Sequence, residues 1–367
     1  MNNTTIDDDN SLDYLLHLSM STWDIMQCVY QLTAASFGLP ANLYILTSLC
    51  GQVARRQSNR MTLLCINLTL ANILVLSVHC IGYSSWLISI QWYSVDALCR
   101  LYQFADVASF HLSSNLVVAV AIDSTVSICR PMSTHGKLRT KLLLAGSWLL
   151  ALTFSLPQLL VWRTDSPIPQ FTQCINSLRF TDDPTMYHLR LYSFYHVISV
   201  FWLPLLVILP LYILLILKSF ASLNWSSMRE PKRCTVAGPK INFEAKCLIR
   251  RGTTTQPKSS QAGDTTDAAR KKKMRILSSA LRVIFVYVFC WTPYQVVSLW
   301  EIVNPTSYAR YDRYLDWLAA VMIFNSCINP FLYGIRVGRT SVRRSPLNSK
   351  GSAKHCISKT STVNDCL

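Results

Sequence analysis

The chain has 367 residues, of which 51% are hydrophobic and only 15% charged, against about 25% charged in an ordinary soluble domain. That composition excludes a soluble globular protein and makes the lipid bilayer the solvent to test. The net charge of +16 is concentrated in the connections between apolar runs, where it points to anionic lipid rather than to nucleic acid.

Seven predominantly apolar runs, each about 20 residues or longer, meet the length a membrane-spanning helix needs: 26–49, 61–88, 97–128, 142–162, 192–217, 277–300 and 317–334. The fold expected is therefore an all-α membrane protein, a seven-transmembrane helix bundle. Pro40, Pro157, Pro204, Pro210, Pro293 and Pro330 lie inside these runs, which is tolerated where neighbouring helices satisfy the freed backbone groups.

The tail ahead of the first run, residues 1–24, holds Asp7, Asp8, Asp9, Asp13 and Asp24 and no Lys or Arg. It begins without a basic n-region, so no cleavable signal is expected and the first span serves as its own insertion signal. Asn2 and Asn3 head two overlapping glycosylation triplets. The same triplet at Asn67 lies inside a span and the one at Asn224 in a basic loop, so neither is expected to be used. Arg55, Arg56 and Arg60 follow the first run, and Arg130, Lys137, Arg139 and Lys141 follow the third. Between Lys218 and Arg275 stand fourteen Lys or Arg against four Asp or Glu. Basic connections are retained on the cytoplasmic side, which predicts the N-terminus outside, a long third intracellular loop over about 219–274, and a cytoplasmic tail at 337–367.

Thirteen cysteines, an odd number spread through spans and inner loops, argue against a disulfide framework. Cys99, at the outer start of the third span, and Cys174, between the fourth and fifth, are both placed to see oxidising solvent, and a bridge would pin that loop across the mouth of the bundle. Cys356 and Cys366 in the tail are read as free thiols, with lipidation the alternative.

Asn42, Trp148, Pro210, the run Cys290-Trp291-Thr292-Pro293 and the run Asn329-Pro330-Phe331-Leu332-Tyr333 occupy successive spans in order. With seven spans and the Cys pair, they resemble the rhodopsin-like (class A) G-protein-coupled receptors, over roughly 25–336. Within that superfamily "IQWYSVDALCRLYQF", "NLTLAN", "FTQC" and "FCWTPYQVVSLW" look like the gonadotropin-releasing-hormone and adipokinetic-hormone receptor group. The resemblance implies a plasma-membrane receptor for an extracellular peptide, coupled to a heterotrimeric G protein; the tail Ser and Thr are read either as phosphate acceptors that recruit an arrestin or as a disordered segment without regulation.

The residues themselves point to a pocket at the outer end. Trp291, Tyr294, Gln295 and Ser298 are spaced i, i+3, i+4, i+7, so one face of the sixth helix is aromatic and polar. Gln103, Asp106, Phe110 and Ser113 repeat that spacing in the third. An ionisable group two turns below Cys99 is expensive in lipid and faces an interior cavity; Asp106 is either a ligand's cation anchor or an internally hydrogen-bonded carboxylate. Amine receptors carry Asp at the matching place, the competing reading, but the fifth span lacks a serine cluster. A peptide with a basic or amidated end fits better. Relatives in the suspected group have an acid near the outer end of the second span, where Tyr83 stands here.

No Lys lies in 317–333 to hold retinal, and no phosphate loop, His-Glu-x-x-His or Gly-x-Ser-x-Gly motif appears, so neither a cofactor, a metal centre nor an enzyme is expected. A transporter would also hide a carboxylate mid-membrane, but seven spans do not divide into two similar halves. Relatives place an Asp where Asn72 stands, helping to hold sodium; Asn72 with Asn42, Ser113, Asn325, Ser326 and Asn329 predicts a neutral polar cluster with weak or absent sodium binding. Aligned on Cys99 and on Cys129-Arg130-Pro131, Asp123 matches the acid of the family's Asp-Arg motif, and its arginine is replaced by Ser124. The switch set is then Asp123, Ser124, Trp291, Pro293, Asn329, Pro330 and Tyr333. Asp123 is left to pair with Lys218, Arg130 or Arg139, and either signalling persists through other contacts or the receptor binds peptide silently.

Overall fold

The computed structural model describes residues 22–56, 59–130, 136–168, 171–180, 187–227, 260–308, 310–311, 315 and 317–342. Asn2, Asn3, the centre of the third connection, the tail cysteines and the side chain of Tyr333 lie outside the described residues.

Six helices are long and apolar enough to cross a membrane: α1 (Thr22–Ala54), α2 (Arg60–Ser89), α3 (Asp96–Cys129), α4 (Gly136–Val161), α5 (Tyr187–Lys218, helical on to Ser227) and the Leu277–Val303 part of α6 (Ser260–Val303). A seventh, α7 (Trp317–Val342), carries the shorter apolar stretch Leu318–Leu332. The expected bundle is therefore present, with each of the first six helices reaching beyond its apolar run. Hydropathy marks only the part of a helix that needs lipid, whereas backbone hydrogen bonding carries the helix on through polar turns.

Helix α3 is the axis. Its apolar window is 67% buried, against 22–44% for the other five spans, and it packs on α2, α4, α5 and α6. The outer helices keep apolar side chains on their open faces, such as Phe37, Leu160, Leu206 and Phe285, as lipid contact requires. Gly38 of α1 shows how closely helices approach: a Cβ there would lie 2.7 Å from Leu76 Cδ1 and 3.1 Å from Cys327 Sγ, the small-residue packing that substitutes for hydrophobic drive inside lipid. Trp291, Tyr287, Phe201, Leu112 and Leu116 fill the central cluster among α3, α5 and α6.

Three spans depart from regular α-helix: α4 is interrupted by a turn at Leu156 and Pro157, and two others widen. The α2 backbone is π-helical over Val75–Tyr83 and α5 over Ile198–Trp202; such widened turns shift the phase of the side chains beyond them and recur at functional sites.

One element is absent from the all-α expectation. Strands β1 (Trp162–Ile168) and β2 (Phe171–Asn176) form an antiparallel hairpin after α4. Cys174, in β2, bonds Cys99 at the start of α3, with Cα atoms 5.6 Å apart. Thr164 N donates to Asp96 Oδ1 at 2.7 Å, and Trp92 N donates to Thr172 O at 2.8 Å. The hairpin is thus tied to α3 covalently and to the α2–α3 connection by backbone.

Candidate functional site

Beneath the hairpin, Asp106 meets a partner from another helix. His79 Nδ1 lies 3.1 Å from Asp106 Oδ1 and 3.3 Å from Oδ2, with the two side chains 17% and 16% exposed. His79 stands inside the π-helical stretch of α2, its ring stacked on Tyr83 and edge-on to Phe110 at 5.0 Å. Of the two readings left open for Asp106, the internally bonded carboxylate is what the geometry displays. Sequence reasoning missed His79, although the rule that singled out Asp106, an ionisable group within a span, applies to it equally.

Around this pair lies an aromatic wall. Trp86 is in edge contact with Tyr83, Trp92 and Tyr102, at 6.0, 5.5 and 6.3 Å between ring centroids. Its Nε1 donates to Gln173 Oε1 of the hairpin at 3.0 Å, and Gln173 Nε2 donates to Ile90 O. Ile90 itself has φ 64°, a conformation β-branched residues rarely adopt, so the α2 end is held to the hairpin through a strained turn.

The other residues expected to line a pocket differ in burial. Gln103, Trp291 and Gln295 are buried, the last two at 2% exposure, while Tyr294 and Ser298 are half-buried. Trp291 packs against Phe110, Tyr287 and Phe201 at 5.8, 5.3 and 6.2 Å, inside the central aromatic cluster. Gln295 Oε1 and Trp291 Nε1 have no hydrogen-bond partner among the described residues. A polar link also ties α3 to α5 and α6: His111 Nε2 meets Ser199 Oγ at 3.1 Å, and Ser114 Oγ bonds both Val200 O and the Tyr287 hydroxyl. Sequence reading did not find it, because Ser and His inside an apolar run carry no periodic signal.

Midway down the bundle, neutral amides form a chain. Asn329 Nδ2 donates to Asn72 Oδ1 at 3.2 Å, Asn72 Nδ2 to Asn42 Oδ1 at 3.1 Å, and Asn42 Nδ2 to Ser326 O at 3.0 Å. These three of the expected polar core are joined across α1, α2 and α7. Ser113 and Asn325 are buried as well, with Ser113 Oγ and Asn325 Oδ1 unbonded among the described residues. Asn67, inside α2, accepts from Trp148 Nε1 at 3.0 Å. Pro293 and Pro330 both lie inside their helices.

At the end opposite the disulfide, Asp123 is 2% exposed and takes two guanidinium groups. Arg139 of α4 donates from Nη2 at 2.9 Å and Nε at 3.3 Å, Thr140 Oγ1 donates at 3.0 Å, and Arg60 of α2 lies at 3.7 Å. Of the three cations named for Asp123, Arg139 is its partner, while Lys218 and Arg130 are exposed; Arg60 was missed. Gly136 makes room for it, since a Cβ there would stand 2.6 Å from Arg60 Nη1. Ser124 is fully buried, and its Oγ makes no hydrogen bond among the described residues.

A bundle of membrane-length helices tied at one end by a disulfide to a hairpin is a multi-pass membrane protein. Residues 41–333 match the 7 transmembrane receptor (rhodopsin family) model, and the chain belongs to that family. It is 26% identical to the G-protein coupled receptor daf-38 of Caenorhabditis elegans, over 81% of this chain and 85% of that protein. The gonadotropin-releasing hormone receptor of Rattus norvegicus is 23% identical, over 76% and 77% of the two chains. The gonadotropin-releasing hormone II receptor of Clarias gariepinus is 25% identical, over 81% and 72%.

Proposed function

We propose that this receptor detects an extracellular peptide hormone of the gonadotropin-releasing-hormone or adipokinetic-hormone kind and passes the signal to a heterotrimeric G protein. In this reading the disulfide end faces outward and the Asp123 end faces the cytoplasm, in keeping with the basic connections. The observation that carries the peptide reading is the His79–Asp106 contact. A small amine concentrates its binding on one ion pair, and here the carboxylate is already shared with an imidazole inside an aromatic wall, which leaves it as one polar contact among several. A peptide spreads its binding over such a wall and over the hairpin edge, with Gln103, Asp106, Tyr294, Gln295 and Ser298 supplying polar contacts and Trp291 the floor. The names of the two hormone-receptor relatives support the same ligand class.

Coupling is expected to be atypical. In the rhodopsin-like receptors the arginine that Ser124 replaces moves between its acid neighbour and the G protein, and serine has neither its reach nor its fork of donors. The burial of Ser124 and the commitment of Asp123 to α2 and α4 favour a second reading, a receptor that binds peptide without signalling. A panel of amidated neuropeptides applied to transfected cells separates these readings, with Asp106→Asn as the control. A second-messenger response lost in Asp106→Asn supports the signalling reading. Saturable binding without response supports the silent one, and response to a monoamine alone overturns the peptide assignment.

A further inference from the structure

A groove of about 440 Å³ runs between α3 and α4 on the outside of the bundle, away from the hairpin and from the amide chain. Its α4 wall is the i+4 row Leu138, Leu142, Gly146 and Leu150, and its α3 wall includes Asn115 and Ile122. Leu138, Leu142 and Leu150 are 56%, 63% and 46% exposed, so the groove opens sideways into lipid hydrocarbon and not into water. From Leu138 to Leu150 the helix rises about 18 Å at 1.5 Å per residue, and one leaflet's hydrocarbon layer is about 15 Å deep. The length is that of an acyl chain reaching from the interface to the midplane.

The rim at the Asp123 end is cationic. Arg139 lines the groove, with its Nε and Nη2 directed at Asp123 and its side chain 20% exposed. The single carboxylate is shared by two guanidiniums, which leaves a positive charge uncompensated there. Lys137 and Lys141 are exposed on the same turns of α4, and the first turn of that helix holds no acid. An apolar slot one leaflet deep beneath a cationic rim is complementary to an anionic amphiphile anchored at the interface.

We propose that this groove holds an anionic phospholipid of the leaflet on the Asp123 side, one acyl chain lying along Leu138–Leu150 and the phosphate against Arg139. Neither the peptide pocket nor coupling enters the proposal, so it is tested without any hormone. The probe is phosphatidylserine carrying a photoactivatable diazirine on its acyl chain, incorporated into nanodiscs with the purified full-length receptor, and the labelled peptides are mapped by mass spectrometry. Labelling is expected on α4 between residues 138 and 150, at least fivefold above that from the matching phosphatidylcholine probe. Excess unlabelled phosphatidylserine should displace it. Arg139→Gln should reduce it at least fivefold. Because Arg139 also supports Asp123, Leu142→Trp serves as a second variant: it fills the groove from an exposed position, keeps every charge, and should abolish the label. Equal labelling by the phosphatidylcholine probe, displacement by a sterol but not by phosphatidylserine, or full labelling of Leu142→Trp each overturns the proposal.

Discussion

Replacing Arg139 with alanine should destabilise the receptor more than replacing the acid it serves, and the reason is an asymmetry of burial. Asp123 is 2% exposed, whereas the Arg139 and Arg60 side chains are 20% and 32% exposed. Without Asp123, both guanidiniums turn to solvent or headgroups at small cost. Without Arg139, a buried carboxylate keeps Thr140 at 3.0 Å, Ser127 at 3.5 Å and Arg60 at 3.7 Å. Removing one partner of a fully buried pair costs about 3–5 kcal/mol; with three of the four supports left, only one of them charged, Arg139→Ala should cost about 2–3 kcal/mol, roughly 30- to 150-fold in the unfolding constant. Asp123→Asn should cost about 1 kcal/mol, the scale of an ordinary hydrogen bond lost. In the Arg139→Ala background, Asp123→Asn should restore stability, because the stranded charge is gone. Gly136→Ala alone should stay within about 0.5 kcal/mol, since only the flexible end of Arg60 must yield, but should add about 1 kcal/mol to Arg139→Ala by moving the remaining cation away. Equilibrium unfolding by SDS titration in bicelles reads all of these. An Asp123→Asn penalty equal to or above that of Arg139→Ala would falsify the idea that the carboxylate is the group being protected.

The same logic applies to the half-buried Asp106: His79→Leu should lower surface expression by leaving that carboxylate without its partner, and Asp106→Asn in that background should recover it, as flow cytometry on tagged receptor would reveal; no recovery means His79 acts through its stacking. Breaking the bridge with Cys99→Ser should cost less than the ~4 kcal/mol of chain-entropy for a separation of 75 residues, because the helices between the two cysteines stay inserted, and it should weaken peptide binding more than stability; unchanged binding counts against the hairpin as a wall of the pocket. Agonist affinity should be insensitive to sodium in the native receptor, since neutral amides do not offset ion dehydration, and Asn72→Asp should introduce sensitivity; a sodium effect abolished by Asn72→Ala refutes this. Ser124→Arg should raise basal or agonist-driven nucleotide exchange at equal surface expression, and unchanged exchange argues that the missing arginine is not what limits coupling.

The seven spans, the Cys99–Cys174 bridge and the motif prolines were legible in the sequence because hydropathy and spacing are one-dimensional properties. The partners of the buried acids were not. Asp123 lies 16 residues from Arg139 and 63 from Arg60, and only the packing of α2 and α4 on α3 decides that both reach it while exposed Lys218 and Arg130 do not. Asp106 could be flagged as buried from its depth, but His79 comes from a different helix, at an angle set by a π-helical stretch that no residue in "VLSVHCIGY" announces. The amide chain was foreseen as a cluster and not as a sequence of donors and acceptors, because each asparagine offers both. The hairpin escaped notice since its short strands compete poorly with the long apolar runs on either side.

The widened turn in α2 has a consequence for anyone comparing this receptor with its relatives. In a regular helix each residue advances about 100° around the axis, and a π-type insertion places one extra residue in the coil. Counting forward from Asn72 along a relative whose second helix is regular therefore goes out of step by one place once Val75–Tyr83 is passed. Tyr83, His79 and Trp86 then correspond in space to neighbours of the residues that an ungapped alignment would assign them. A relative whose second helix is regular therefore presents a different side chain at the place that Tyr83 takes here.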